Sequence, residues 1–257
     1  MADGPPLIAL EDVTFRYPDR PVLAAVDFHI HAGERVAVVG PNGSGKSTLL
    51  QLMVGLHRPQ AGHITAFGRP CRTEQEFRAM RRRVGLLFQD SDDQLFCPTV
   101  EEDVAFGPLN LGLDSATALA RAHATLGTLG LDTLAGRVTH RLSGGEKRLV
   151  ALAAVLAMEP EVLLLDEPTN GLDTATEERL TAHLESLPQA MVFVSHDNRL
   201  LARMVTRAVL LHEGRLHAAT MHSHPHTHAH LHIHAPGVPA DHRHGAPPHS
   251  HPHEAKG

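Results

Sequence analysis

The run Gly40-Pro41-Asn42-Gly43-Ser44-Gly45-Lys46-Ser47-Thr48 has the residue types and spacing of a phosphate cradle, G-x-x-x-x-G-K-[ST]. Gly40, Gly43 and Gly45 lack a Cβ, so their backbone can take positive φ and close around a polyphosphate. The Lys46 ammonium can reach β and γ phosphates, and the Ser47 hydroxyl can ligate Mg²⁺. Asn42 and Thr48 complete the cradle. A second constellation, Asp166-Glu167, closes the apolar run Val162-Leu163-Leu164-Leu165. Two carboxylates at the end of a buried strand are costly without a cation. Asp166 can hold Mg²⁺, partly through water, and Glu167 can polarise a water for attack on a γ phosphate. A third, Leu142-Ser143-Gly144-Gly145-Glu146, is a turn that opens a helix. Such a helix tip is a ready anion site, although a plain cap with flexible glycines accounts for it as well. Gln89 and His196-Asp197 follow two further apolar runs, where ligands sit in open α/β sheets.

These groups are far apart in sequence, so the elements between them must bring them to one edge. Arg35 to Val39 predicts a buried strand before the cradle. Ser47 to Met53 predicts a helix whose positive end faces the phosphates. Val84 to Phe88, Val162 to Leu165 and Ala190 to Val194 are further buried strand candidates, and their ends would share one edge of a parallel sheet. Ile8, Leu10, Val13 and Phe15 are apolar among polar neighbours and predict a half-buried strand. A turn at Pro18 to Pro21 and a second strand from Val22 to Ile30 make a hairpin layer. Tyr17 sits at that turn, in a chain with no other Tyr and no Trp. Its ring can stack on a base or simply pack at a strand end. Gly55 to Gly62 reads as a turn region and Thr73 to Arg82 as a polar helix. Pro98 to Leu111 and Ser115 to Leu129 read as helices with no strand pattern, a helical insertion into the α/β body. Arg148 to Met158 is a strongly apolar helix ended by Pro160. Thr169 to Asp173 is a turn and Thr174 to Ser186 a helix.

The chain has 257 residues, enough for one or two domains and a sizeable core. A formal net charge of -6 gives no bulk electrostatic support for coating a nucleic acid. Cys71 and Cys97 form no C-x-x-C pair, which argues against a disulfide scaffold and fits a reducing compartment. Met1 to Leu10 lacks the pattern of a signal peptide, and no apolar run is long enough to span a bilayer.

Taken in order, GPNGSGKST, LSGGE, LLLDEP, GLD and a strand-end SHD resemble the ATPase subunit of ABC transporters, over roughly residues 7 to 216. The resemblance implies an α/β P-loop core with a mixed β-sheet layer and an inserted α-helical subdomain at about residues 90–158. It also implies ATP and Mg²⁺ as ligands. By the family's motifs Tyr17 is the adenine-stacking aromatic, and Gln89 senses Mg²⁺, attacking water and transporter contacts. Glu167 is the catalytic base, His196 the γ-phosphate switch, and Asp173 the link between two sites. Ser143, Gly144 and Gly145 bind the γ phosphate of ATP held by a second subunit, which makes ATP the glue of a homo- or heterodimer. Asp92 to Phe96 and Thr99 to Pro108 are similar to the ATPases of energy-coupling-factor importers of vitamins or transition metals. Cys97 departs from that pattern, which more usually has a small Ser there. The implied partners are integral membrane subunits and no nucleic acid, with the chain peripheral at the cytoplasmic face.

From His217 the composition shifts. Residues 217–257 are rich in His, Pro, Ala and Gly, with too few apolar residues for a core, so a disordered tail is expected. His222, His224, His226, His228, His230, His232 and His234 alternate strictly. In an extended chain they lie on one side, roughly 7 Å apart. Neutral imidazole suits Ni²⁺, Co²⁺, Zn²⁺ and Cu²⁺. The irregular interleaving argues against an appended tag, and a solubilising linker has no need of histidine. The tail and the importer-like segment together point to Ni²⁺ or Co²⁺ uptake. Another importer of the family, a vitamin carrier for instance, or a metal storage or delivery protein are the alternatives.

Overall fold

Large apolar residues spaced among polar ones make the first layer, with a register shift between Leu10 and Val13. β1 (Ile8–Tyr17) and β2 (Arg20–Ile30) pair antiparallel, with Ile8 opposite Ile30, Leu10 opposite Phe28 and Val13 opposite Val26. All six side chains are buried. The structure is a computed structural model that describes the backbone of residues 4–224 and 230–234 and the side chains of residues 4–220. β3 (Arg35–Val39) leads through the glycine-rich turn into α1 (Lys46–Met53), as the motif predicts. β4 (Ala61–Ala66) and β5 (Arg69–Pro70) then complete a sheet in the order β2-β1-β4-β5. The sequence suggested a turn over Gly55 to Gly62 and no strand directly after it. The run Ala-Gly-His-Ile-Thr-Ala has one large apolar residue, too weak a pattern alone. It becomes a strand by pairing with β1, Ile64 opposite Leu10 and Ala66 opposite Ile8.

α2 (Glu74–Arg81) starts at a reciprocal cap in which Thr73 and Glu76 each satisfy the other's backbone N–H. β6 (Val84–Leu87) is followed by α3 (Val100–Asn110), α4 (Ser115–Thr128) and α5 (Gly144–Leu156), which pack on one another as the expected helical insertion. After β7 (Val162–Asp166), α6 (Thr174–Ser186) and β8 (Ala190–Val194), the chain forms α7 (Asn198–Met204), β9 (Arg207–His212) and β10 (Arg215–His224). β11 (His230–His234) ends the described part.

The second sheet runs β11-β10-β9-β3-β8-β7-β6, with β9 to β6 parallel and β10 and β11 antiparallel at one side. Its parallel strands are covered on both faces, hence their nearly unbroken apolar sequences. Val36, Val38, Leu164 and Val192 point to a core shared with the first sheet and α1. Ala37, Leu163, Leu165, Met191 and Phe193 point the other way, to a core shared with α3 to α7. Among the described residues no helix is long and apolar enough to cross a membrane.

The sequence placed the end of the ATPase unit at residue 216 and expected disorder beyond it. Among the described residues β10 runs across that point, from Arg215 to His224. β10 pairs with β9 through Ala219, opposite Ala208, and with β11 from Thr220 to His224. The physical reason is the period of two: an alternating run suits a strand wherever a neighbouring edge is free to pair. His226 and His228, within 225–229, and all of 235–257 lie outside the described residues, as do the side chains of His222, His224, His230, His232 and His234.

Candidate functional site

Strand register brings the dispersed groups level. Val38 lies opposite Val194, Val194 opposite Asp166, and Leu165 opposite Leu87. The cradle after β3, Gln89 after β6, Asp166-Glu167 at the end of β7 and His196 after β8 therefore crowd one sheet edge, as strand order in an open α/β sheet requires.

The cradle needs its glycines for distinct reasons. A Cβ on Gly40 would sit 2.3 Å from the Leu211 carbonyl oxygen, and one on Gly45 2.6 Å from Val22 Cγ1. Gly43 faces open space, and only its φ of +77° calls for glycine. Gly45 caps α1 in a left-handed conformation with no side-chain cap, and the first turn carries no acid. The positive end of α1 is thus left free for an anion. Lys46 is buried, and its ammonium donates to the carbonyls of Gly40 (2.9 Å) and Pro41 (3.1 Å). Burial pushes its pKa down, opposed by the charges of Glu167 and Asp166.

Asp166 is 5% exposed, and its Oδ1 has no hydrogen-bond partner among the described residues. Burial raises its pKa, opposed by a hydrogen bond with Ser47 and by the charges of Lys46 and Arg148. An orphaned carboxylate oxygen beside the Ser47 hydroxyl is a hard oxygen donor set, and it fits Mg²⁺. Glu167 leaves the strand at φ +49°, a costly conformation for a non-glycine residue. The turn is locked by its N–H, which donates to the Val194 carbonyl at 2.8 Å. Its carboxylate accepts from the His196 backbone N–H at 3.3 Å and lies 3.6 Å from His196 Nε2. That ring nitrogen is also 3.0 Å from Asn42 Oδ1, so His196 spans from the Glu167 carboxylate to the cradle.

Two adjoining clefts of about 650 and 490 Å³ share Ser47, Gln89, Asp166 and Asn170. The smaller holds Asn42, Gly43, Gly45, Lys46, Thr48, Glu167 and His196; the larger reaches Gly144 and Lys147 on α5. Ser143 is exposed and lines neither. Its hydroxyl caps α5 by accepting from Glu146 N–H. Tyr17 lines neither cleft. Its hydroxyl is 3.3 Å from Thr48 Oγ1 and 3.2 Å from His57 Nε2, and its ring meets Phe15 edge-on. Asp173 is exposed and caps α6, accepting from Ala175 N–H and Thr176 N–H.

Three residues went unremarked in the sequence. Arg20 and Asn170 line the smaller cleft. Arg148, 5% exposed, lies across from Gln89: its guanidinium donates to the carbonyls of Phe88, at 2.6 Å, and Gln89. Burial pushes the Arg148 pKa down, against the charges of Asp166, Asp90 and Glu167. A cation opening the apolar run from Leu149 to Met158 was the available signal.

A sequence description of the ABC transporter family matches residues 23–170, more than half of the chain. A putative ABC transporter ATP-binding protein of Brucella suis is 54% identical over 85% of this chain and 91% of its own. Two proteins of Rhodobacter capsulatus named for nickel import and cobalt import, both ATP-binding proteins, are 46% and 47% identical over 83% of this chain, covering 89% and 78% of theirs. Among solved structures, the Clostridium perfringens cbiO1 protein, described as part of the ABC transporter complex cbiONQ, superposes with a TM-score of 0.72 at 34% identity. That match covers 82% of this chain and 86% of the other. A dimeric ATP-binding cassette in a post-hydrolysis state with ADP and Pi matches with a TM-score of 0.75 at 28% identity, over 81% and 96%.

Proposed function

The chain belongs to the ABC transporter ATP-binding family, and from that premise we propose that it powers an energy-coupling-factor importer of Ni²⁺ or Co²⁺. It is an ATP hydrolase whose activity is coupled to transport, and a peripheral subunit that works as a dimer with membrane components. The near-equal identity to the nickel-import and cobalt-import proteins supports the pair of metals and favours neither. Cargo enters from the membrane subunits. The histidines of 217–257 collect or buffer it at the cytoplasmic face. We place the end of the ATPase unit at about Thr220, just past the last pairing of β10 with β9.

The observation that carries the catalytic reading is the orphaned Asp166 Oδ1 beside Lys46, Ser47 and Glu167. Lys46 trades the Gly40 and Pro41 carbonyls for β and γ phosphate oxygens. Ser47, Asp166 and Gln89 are the residues that would hold Mg²⁺, which would supply neutralisation of the phosphate charge. Glu167, fixed by its turn, accepts a proton from the attacking water. His196, steadied by Asn42, donates toward the γ phosphate. Tyr17 offers its ring to adenine beside Thr48. Ser143 and the glycines after it have no cleft of their own to serve. In a dimer they reach the γ phosphate on the other chain, and the Asp173 cap on α6 sets the loop between the two sites.

The test is ATP-driven uptake of Ni²⁺ and of Co²⁺ by vesicles holding the assembled complex, with Glu167→Gln as the comparison. Loss of a general base costs about a hundredfold or more, so uptake of the cargo metal falls to background in the variant. Uptake of both metals at an unchanged rate in the variant overturns the reading.

A further inference from the structure

We propose that the β10–β11 hairpin carries a discrete four-histidine site for a divalent transition metal, made of His222, His224, His230 and His232, and that strand register rather than the tail's histidine content creates it. The proposal deepens the metal-collecting role given above to residues 217–257 and rests on it.

The backbone pairing places His222 opposite His232 and His224 opposite His230, with Met221 opposite Ile233 and Ser223 opposite Leu231. Directly opposed residues of an antiparallel pair share a face, and so do residues two apart along each strand. These four histidines therefore occupy one face, at the corners of a rectangle, and His234, opposite Thr220, follows them on the same face. The Cβ positions of the four are about 4.5–5.5 Å apart across the strands and roughly 7 Å along them. The other face carries Met221, Leu231 and Ile233.

The rest of the sheet says which face is which. Ala219 packs against the core that includes Leu200, Leu201 and Met204 of α7, and β11 is in contact with α7. Pleating puts Met221 on the face of Ala219. Ala218 and Thr220 are exposed, and they lead into the face of His222 and His224. So Met221 shares a face with Ala219, and His222 and His224 share one with the exposed Ala218 and Thr220.

Four neutral imidazoles at this spacing suit Ni²⁺, Co²⁺, Zn²⁺ or Cu²⁺, which prefer nitrogen donors. A tail binding by composition alone would give every histidine pair a similar share. The register instead sets these four, among the 22 histidines of the chain, in two directly opposed pairs, whereas His234 faces Thr220.

The test titrates full-length protein with Ni²⁺ by calorimetry and follows the visible absorption of bound Co²⁺. The double variant His222→Ala/His232→Ala is compared with His242→Ala/His244→Ala. The proposal expects the tightest site to weaken at least tenfold in the first and less than twofold in the second. A third variant, Leu231→Ser/Ile233→Ser, keeps every histidine and removes the apolar face; the tight site weakens here too. Equal losses in the two histidine variants, or an unchanged tight site in the serine variant, overturn the register. ATP hydrolysis is measured on the same preparations. Its loss in the parent chain would count against the motor reading and leave the metal result standing.

Discussion

Replacing Arg148 by Met tests whether the start of α5 is tied to the chain at Phe88 and Gln89 through a single buried cation. The guanidinium donates to the Phe88 and Gln89 carbonyls, and Asp166 and Asp90 contribute to its electrostatic surroundings. Hydrogen bonds to a charged group contribute about 1.5–3 kcal/mol each. Two discounts apply. The guanidinium has lost its hydration, as its lowered pKa records, and its Nε finds no partner among the described residues. Phe88 is half-buried and Gln89 exposed at the cleft rim, so water can reach their carbonyls once the side chain is gone. The net expectation is a loss of about 1–3 kcal/mol in urea unfolding of the nucleotide-free chain. The consequence for catalysis is selective. Arg148 donates to no atom of the cradle, so nucleotide affinity should stay within about threefold. Gln89 loses its anchor, and hydrolysis at saturating ATP should fall about tenfold, equivalent to about 1.4 kcal/mol. Arg148→Lys, a point charge without the fork, should fall between the two proteins. An unchanged unfolding midpoint for Arg148→Met would refute the structural reasoning. A weakened ATP affinity with an unchanged turnover rate would refute the catalytic part.

In the cradle, Gly45→Ala combines a φ of +106° with a Cβ 2.6 Å from Val22 Cγ1, whereas Gly43→Ala meets only the φ penalty of about 1 kcal/mol. Fluorescent-nucleotide titration should show at least a tenfold loss of affinity for the first and a smaller one for the second. Asp166→Asn should stabilise the nucleotide-free chain while abolishing Mg²⁺-dependent hydrolysis. Burial raises the Asp166 pKa, so the folded state binds that proton more tightly than the unfolded state. Stability from this group is present below the ordinary aspartate value and lost as pH rises through the raised one. Melting curves of the parent and the Asn variant should therefore diverge from acid toward neutral pH, with the variant higher at pH 7. The Cys97 thiol is pushed up to about 11 by burial, with Asp103 and Glu102 nearby, and burial also raises that of Cys71. Alkylation of native protein at pH 8 should be slow at both positions, and fast labelling of the half-buried Cys97 would contradict its raised pKa.

The chemistry was readable from local sequence because each group works through short-range geometry. A glycine-rich turn between a strand and a helix specifies its own backbone, as the positive φ values of Gly40, Gly43 and Gly45 bear out. A carboxylate pair at the end of an apolar strand declares its own electrostatic debt, which the unpartnered Asp166 oxygen displays. The buried parallel strands were legible too, since a sheet covered on both faces makes continuous apolar runs. What tertiary structure decided was pairing. β4 has too little apolar pattern to stand alone and exists because β1 offers Leu10 opposite Ile64. Arg148 looks like a surface residue of an apolar helix until the fold brings the Phe88 and Gln89 carbonyls to it. The alternating histidines show a period but no partner, and only β11 folding back on β10 sets His222 opposite His232. Local conformational preferences act over a few residues and are written in sequence, whereas the neighbour across a strand or helix face is chosen by the whole chain's packing.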